Sequence, residues 1–266
     1  MSALLDAVDA SPPIIERVAL VIARDAYPRL HARRYLMQLD AWAERAHVAE
    51  GAALEDRVAA LAELVYGKLG FAGNSDDYYD PRNSYLNEVV DRRLGIPITL
   101  AIVLMALGRR LGLTVEGIGF PGHFLARVGG AGGVYVDPFN GGSIVARGQL
   151  EVLARRVLPD SDTLVSGQLE PVTARVMAVR MLFNLQQIYE KRGDHARALV
   201  VCDRLVDLTG TAFHRRDRGI HALRLRAFEA ARRDLEAYLE TDLSDGEAAR
   251  VRQLIEEASQ GRVQLN

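Results

Sequence analysis

From Ile98 to Leu111 the sequence ITLAIVLMALGRRL puts apolar residues on nearly every face of a helix, and after Gly112 the pattern changes to short β-type stretches. A helix that is apolar all round has to be enclosed by other elements. The stretches that follow it, Thr114–Phe120, Phe124–Val128 and Val134–Val136, alternate as strands do and supply one wall. GGAGG at 129–133 joins the last two as an antiparallel hairpin. Upstream, Asn83–Arg93 reads as a helix with Leu86, Val89 and Val90 inward, and Gly95-Ile96-Pro97 interrupts it before the apolar helix begins. Apolar residues also recur at helical spacing from Ser11 to about Gly70: Ile14, Ile15, Val18, Ala19 and Ile22, then Tyr35, Leu36 and Leu39, then Leu54, Val58, Leu61 and Val65. Pro12 and Pro13 suit the start of the first of these helices and Pro28 its end. Gly70–Asp80 is turn-rich and reads as a loop. A helical segment at Gln149–Val157 closes the domain. Helices followed by a small antiparallel sheet define the α+β class.

After Leu158, PDSDTLVSGQLEP reads as a connector, and only helical patterns follow. Setting Gln186 against Gly219 also aligns Ala198 with Ala231 and Cys202 with Leu235, a period of 33 residues. This resembles the tetratricopeptide repeat of about 34 residues, whose large, large, aromatic, small and large positions fall on Leu182, Leu185, Tyr189, Ala198 and Cys202. The alanines sit where paired helices approach closely, and the larger residues fill the space between pairs. Two repeats and a final helix, Asp245 to about Ser259, make a short array. The expected division is residues 1–165, holding the N-terminal helices and the α+β core, and residues 166–266, all-α.

A chain of 266 residues with 49% hydrophobic and 26% charged residues has the composition of a globular protein. Its formal charge of −2 gives no bulk footprint for nucleic acid or an anionic membrane. Arg215, Arg216 and Arg218 are its densest basic cluster and read as the solvated edge of a helix. A single cysteine, Cys202, excludes an internal disulfide and suits a reducing compartment. No basic n-region with a long apolar stretch begins the chain, and Ile96–Leu107 is too short to span a bilayer. A cytoplasmic location is expected.

Three segments carry the candidate chemistry: NSYLNEVVDRRLGIPITLAIVLMALGRRLGL at 83–113, GFPGHFLARV at 119–128 and YVDPFNGG at 135–142. Their order is a helix N-terminus, a histidine heading one strand and an aspartate ending the next. Transglutaminases and papain-like proteases order a Cys, His, Asp triad in this way: the helix N-terminus activates the thiol, histidine is base and acid, and aspartate holds its tautomer. Counting back from Gly112 by the transglutaminase spacing puts the nucleophile at Pro97, or at Ile98 if the register slips by one. Neither is a nucleophile. Thr99 is the nearest hydroxyl and reads as a cap, and Cys202 reads as a small core residue on a repeat helix. His123 and Asp137 remain, either as base and orienter of a degenerate triad or as a buried pair pinning two strands.

Other site types find little support. His31, His47, His195, His214 and His221 fall on separate expected helices with no ligand spacing to His123, so no metal site is expected. Asp76, Asp77 and Asp80 lack the glycine and terminal glutamate of a calcium loop and read as solvated acids. GIGFPG at 117–122 matches the string GxGxxG, but Pro121 and the strand that follows preclude the required helix. No cofactor is expected.

NSYLNEVVDRRLGIPITL, GIGFPGHFLARV and VDPFNGG, followed by the repeats, resemble a bacterial family of SirB-type proteins, regulators of SirC expression, with transglutaminase-like and tetratricopeptide parts. The resemblance implies a cysteine-protease-like α+β domain with a helical repeat tail. His123 and Asp137 match the second and third members of the triad, and the first has no match. The expected function is a non-catalytic regulatory or adaptor protein with a degenerate cleft and a repeat surface that bind a protein or peptide. The alternative is a hydrolase or acyl transferase using His123 as general base on water or an amine. A scaffold whose first domain merely docks the repeats is the third reading.

Overall fold

The computed structural model describes residues 2–46, 51–120, 122–146, 148–152 and 169–263. The chain divides into two compact units, Asp6–Met181 and Leu182–Asn266, the latter taking in Met1–Leu5. The expected domain boundary at 165/166, the end of the expected helix Gln149–Val157, and connector residues 159–168 lie outside the described residues.

The first unit is built around the all-apolar helix. In chain order its helices are α2 (Ile15–Ala26), α3 (Ala32–Glu44), α4 (Leu54–Ala62, extended by a π-type turn over Glu63–Lys68), α5 (Leu86–Arg92) and α6 (Pro97–Arg110). A short α1 (Ala3–Val8) precedes them. Pro12 and Pro13 therefore lie between α1 and α2 rather than in a first helical turn, because Ile14 is the extended residue that precedes α2. Pro97 opens α6, where its missing N–H costs no hydrogen bond. Leu100, Ala101, Ile102, Val103, Leu104, Ala106 and Leu107 are all buried. At Gly108 the helix touches the sheet so closely that a Cβ would overlap the Val115 side chain.

Beyond α6 an antiparallel meander runs β3 (Val115–Ile118), β4 (Leu125–Val128), β5 (Val134–Asp137) and β6 (Ser143–Ile144). Its register sets Gly117 opposite Ala126, Ala126 opposite Val136, and Val136 opposite Ile144. The glycine-rich turn sits between β4 and β5 as expected, with Gly132 at φ 78°. Ile118, Phe120, Leu125, Val145 and Leu150 form a cluster on one side. Two dipeptides that sequence periodicity is too short to reveal, β1 (Ala72–Gly73) and β2 (Leu94–Gly95), pair in parallel and tie the 70–80 loop to the end of α5.

The second unit is helical. A helix α7 (Ala174–Lys191) contributes its residues from Leu182, followed by α8 (His195–Thr209), α9 (Ala212–Arg224), α10 (Phe228–Leu239) and α11 (Asp245–Val263). The repeat alignment has a physical basis: Ala198, Ala231, Cys202 and Leu235 are fully buried. A Cβ on Gly219 would lie 3.0 Å from Leu235 and 3.2 Å from the Ala231 carbonyl. Of the arginine cluster read as a solvated edge, Arg215 is exposed, but Arg216 and Arg218 are drawn partly inward. Arg218 grips buried Asp234 through two nitrogens at 2.7 and 2.8 Å and Asp203 at 2.6 Å, while Arg216 pairs with buried Asp217 at 2.8 Å. Asp203 and Asp234, on the neighbouring helices α8 and α10, draw Arg218 inward, whereas Arg216 is held by Asp217, its neighbour in the chain, and by Glu247 of α11 at 3.2 Å. No helix among the described residues is long and apolar enough to cross a membrane.

Candidate functional site around His123 and Asp137

β4 and β5 are neighbours, and their register carries the residues flanking the paired segment towards each other. His123 stands just before β4, its N–H donating to the Phe120 carbonyl at 3.1 Å, and Asp137 ends β5. His123 Nε2 meets Asp137 Oδ2 at 2.9 Å. The imidazole is 21% exposed and the carboxylate 10%. Asp137 Oδ1 also accepts from the N–H groups of Phe139 (2.9 Å) and Asn140 (3.2 Å), and Oδ2 from Asn140 Nδ2 (2.7 Å). Burial alone would raise this carboxyl's pKa, but the hydrogen bonds from His123 and Asn140 outweigh it and hold the pKa below the ordinary value. The Tyr66 hydroxyl is buried without a partner, and burial together with the Asp137 charge pushes its pKa up. Arg180 donates to the His123 carbonyl at 3.1 Å and lies 5.1 Å from the Phe124 ring centre.

At the expected nucleophile position, Pro97 and Ile98 are both buried in the first turn of α6. Thr99 is fully buried, and its Oγ1 is fully engaged. It contacts the carbonyls of Asn83 at 2.8 Å and Ile96 at 3.1 Å, and accepts from Ile96 N–H at 3.1 Å. The expected capping role of Thr99 is therefore what its geometry shows. Thr99→Val, nearly equal in shape, leaves a buried N–H and a buried carbonyl without that partner. It is expected to lower stability by about 1–3 kcal/mol in urea unfolding. Cys202 lies in the second unit, fully buried, its thiol pKa pushed up chiefly by burial.

Sequence reasoning overlooked the asparagines that brace this region. Asn74 Nδ2 donates to Asn83 Oδ1 at 3.1 Å, and Asn83 Nδ2 donates to the Asp77 carbonyl at 2.7 Å. Through Asn83, whose carbonyl bonds Thr99, the 74–80 loop is fastened to the start of α6. The loop's Tyr78 ring lies 5.8 Å from that of Phe139, two residues beyond Asp137. Asp80 is a correction. It is buried, accepts from Arg82 at 2.8 Å and lies 3.4 Å from Arg92, because it caps the 3-10 turn at Pro81–Asn83 instead of facing solvent. The signal available was Asp80 directly before Pro81, a capping residue followed by a residue that starts helical turns.

The histidines expected on separate helices include one pair that meets: His195 Nδ1 and His221 Nδ1 lie 3.2 Å apart in the second unit, with His221 Nε2 3.3 Å from Glu190. His47 lies outside the described residues. Among the described residues no group of three or more His, Cys, Asp or Glu side chains is placed to hold a metal ion.

Residues 33–183 match the transglutaminase-like superfamily, and residues 185–256 match the tetratricopeptide repeat. A transglutaminase-like part followed by tetratricopeptide helices is thus the class of protein, the pairing expected from the resemblance to the SirB-type family. Over 268 aligned residues the chain is 38% identical to a UPF0162 protein of Xylella fastidiosa strain 9a5c, covering 97% of this chain and 94% of that one. A UPF0162 protein of Pseudomonas aeruginosa is 33% identical over 245 residues, covering 89% and 88% of the two chains. The chain belongs to the UPF0162 family. A crystal structure of menin superposes with a TM-score of 0.42 at 12% identity, over 94% of this chain and 74% of that one, too loose a likeness to carry an argument.

Proposed function

We propose that this protein is a non-catalytic regulatory or adaptor protein whose degenerate transglutaminase-like part and repeat surface bind a protein or peptide. The observation that carries this reading is the first turn of α6. The residues at the nucleophile position are buried Pro97 and Ile98, and the one nearby hydroxyl, Thr99, is fully engaged. Without a nucleophile, an orienting His–Asp pair has nothing to activate but water. Stacked repeat helices supply a surface suited to extended partners. The single cysteine accords with a cytoplasmic setting.

The test uses the full chain and its His123→Ala variant on glutamine-containing peptides, with and without an added amine, following ammonia release. The expected result is the same rate for both proteins, equal to that of buffer. Turnover by the parent chain that disappears in His123→Ala would overturn this reading. It would establish the second one, a hydrolase or acyl transferase in which His123 acts as general base and Asp137 orients it. The 2.9 Å contact between a part-exposed imidazole and a buried carboxylate is what supports that alternative.

A further inference from the structure

Arg180 stands beside His123 without an acid. It lies on α7, in the part of that helix that belongs to the first unit. Three contacts fix its side chain. Nη2 donates to the His123 carbonyl at 3.1 Å, the guanidinium carbon lies 5.1 Å from the centre of the Phe124 ring, and Nη1 fills space at Gly119 where a Cβ would come within 2.7 Å of it. Glycine at 119 therefore makes room for the cation. A guanidinium carries several N–H donors, and the bond to the His123 carbonyl is the one this group makes among the described residues.

Other part-buried arginines show what is missing. Arg110 meets Glu16 at 2.7 Å, Arg127 meets Glu116 at 2.8 Å and Arg218 meets Asp234 at 2.7 Å. No carboxylate among the described residues pairs with Arg180. Asp137 is committed to His123, Asn140 and the Phe139 N–H, and the exposed loop acids Asp76 and Asp77 form no ion pair with Arg180. Burial pushes the guanidinium pKa down, with Tyr78 acting the other way. A part-buried cation without a counter-charge is costly, and a carboxylate matches its forked donors.

Aromatic rings continue from this cation. The Tyr78 ring lies 5.4 Å from that of Tyr79 and 5.8 Å from that of Phe139, and both tyrosines are exposed. Aromatic residues and arginine are the side chains that anchor protein interfaces. The N–H groups of Phe120, His123, Phe139 and Asn140 already donate to protein oxygens. The side-chain cation, rather than a nest of backbone N–H groups of the kind that captures a chain terminus, is thus what this region offers an anion.

We propose that the His123 region receives an acidic side chain of a peptide partner, its carboxylate on Arg180 and the apolar residue beside it on the Tyr78 and Phe139 rings. The proposal rests on the reading of this region as a binding site and names the chemistry of what is bound.

The probes are three dipeptides: acetyl-Glu-Phe-amide, its isostere acetyl-Gln-Phe-amide, and acetyl-Gln-Phe with a free terminal carboxylate. Binding to the full chain is followed by NMR shifts of Phe124, Leu125 and Asn140. The expected result is saturable binding of the glutamate dipeptide, about fivefold or more tighter than either glutamine dipeptide. Arg180→Gln is expected to bring the three to within about twofold of one another, and Arg180→Lys to keep a reduced preference for glutamate. Tyr78→Ala, at an exposed position, is expected to weaken all three alike by about threefold. No saturable shift at millimolar probe, equal affinity for the three dipeptides in the parent chain, or a glutamate preference that survives Arg180→Gln would overturn the proposal. If Arg180→Gln does not fold, Arg180→Lys decides: a glutamate preference as large as the parent's overturns the proposal. Ammonia release from the glutamine dipeptides in the same samples reports separately on the non-catalytic reading, so the two can fail independently.

Discussion

Ile102→Ala is expected to lower the unfolding free energy of the first unit by about 2–5 kcal/mol, the upper part of the range if the vacated space stays open. Ile102 is fully buried on α6, and so are Leu100, Ala101, Val103 and Leu104 around it. The positions next to Ile102 are enclosed, and Gly108 already brings the helix into contact with Val115. Interiors packed this densely relax only in part when methyl groups are deleted. Met105 is the internal control. It lies on the same helix but is only half-buried and borders a groove, so Met105→Ala is expected to cost less than half as much. Urea unfolding resolves the difference, provided the transition of the first unit is followed separately from that of the helical second unit, for example by the fluorescence of Trp42, which is buried in the first. Equal costs for the two substitutions would mean that α6 is not the enclosed centre of its unit.

Asp137→Ala carries the second large effect, about 3–5 kcal/mol, against about 1 kcal/mol for His123→Ala. The asymmetry follows from how many groups each substitution strands. The Asp137 carboxylate accepts from two backbone N–H groups, the Asn140 side chain and His123, in a buried place. Its removal leaves several donors without a partner, and each bond to a charged group is worth more than a neutral one. Removing the part-exposed imidazole takes away one of four donors, and water can replace it. Asp137 is thus first an organiser of the 137–142 turn and only second a partner for histidine.

The pH dependence has a definite sign. The pKa of Asp137 in the folded chain is depressed below the ordinary carboxylate value. Its stabilisation is therefore complete above the unfolded pKa of about 3.9, and is lost as pH falls below that and through the lower native pKa. Thermal unfolding at stepped pH should show the stability advantage of the parent chain over Asp137→Asn constant near neutrality and shrinking below about pH 4. An advantage that grew on acidification would mean that the carboxylate is not held in its charged form by these donors.

The legible part of this protein was the part written locally. An uninterrupted apolar helix, alternating strands after Gly112, the GGAGG turn and a 33-residue repeat of small and large positions each reflect the geometry of one element, and the structure contains each of them. The order of His123 and Asp137 on adjacent strands could be read in the same way, because neighbouring antiparallel strands bring such positions together. The sequence also determined that no nucleophile stands at 97 or 98, a matter of residue identity alone.

Other features depend on partners distant in the chain, and only the tertiary structure decided them. Asp80 is buried, not solvated, because Arg82 and Arg92 meet it. Arg218 turns inward because Asp203 and Asp234 on neighbouring helices receive it. Thr99 is fully engaged because Asn83, sixteen residues earlier, presents its carbonyl. Asn87, an ordinary helical asparagine by sequence, has its side-chain oxygen buried without a partner because no neighbouring element among the described residues offers a donor. Periodicity reports which face of an element is buried. Whether a polar group on that face finds a partner is settled by where other elements place theirs, and one sequence does not contain that distance.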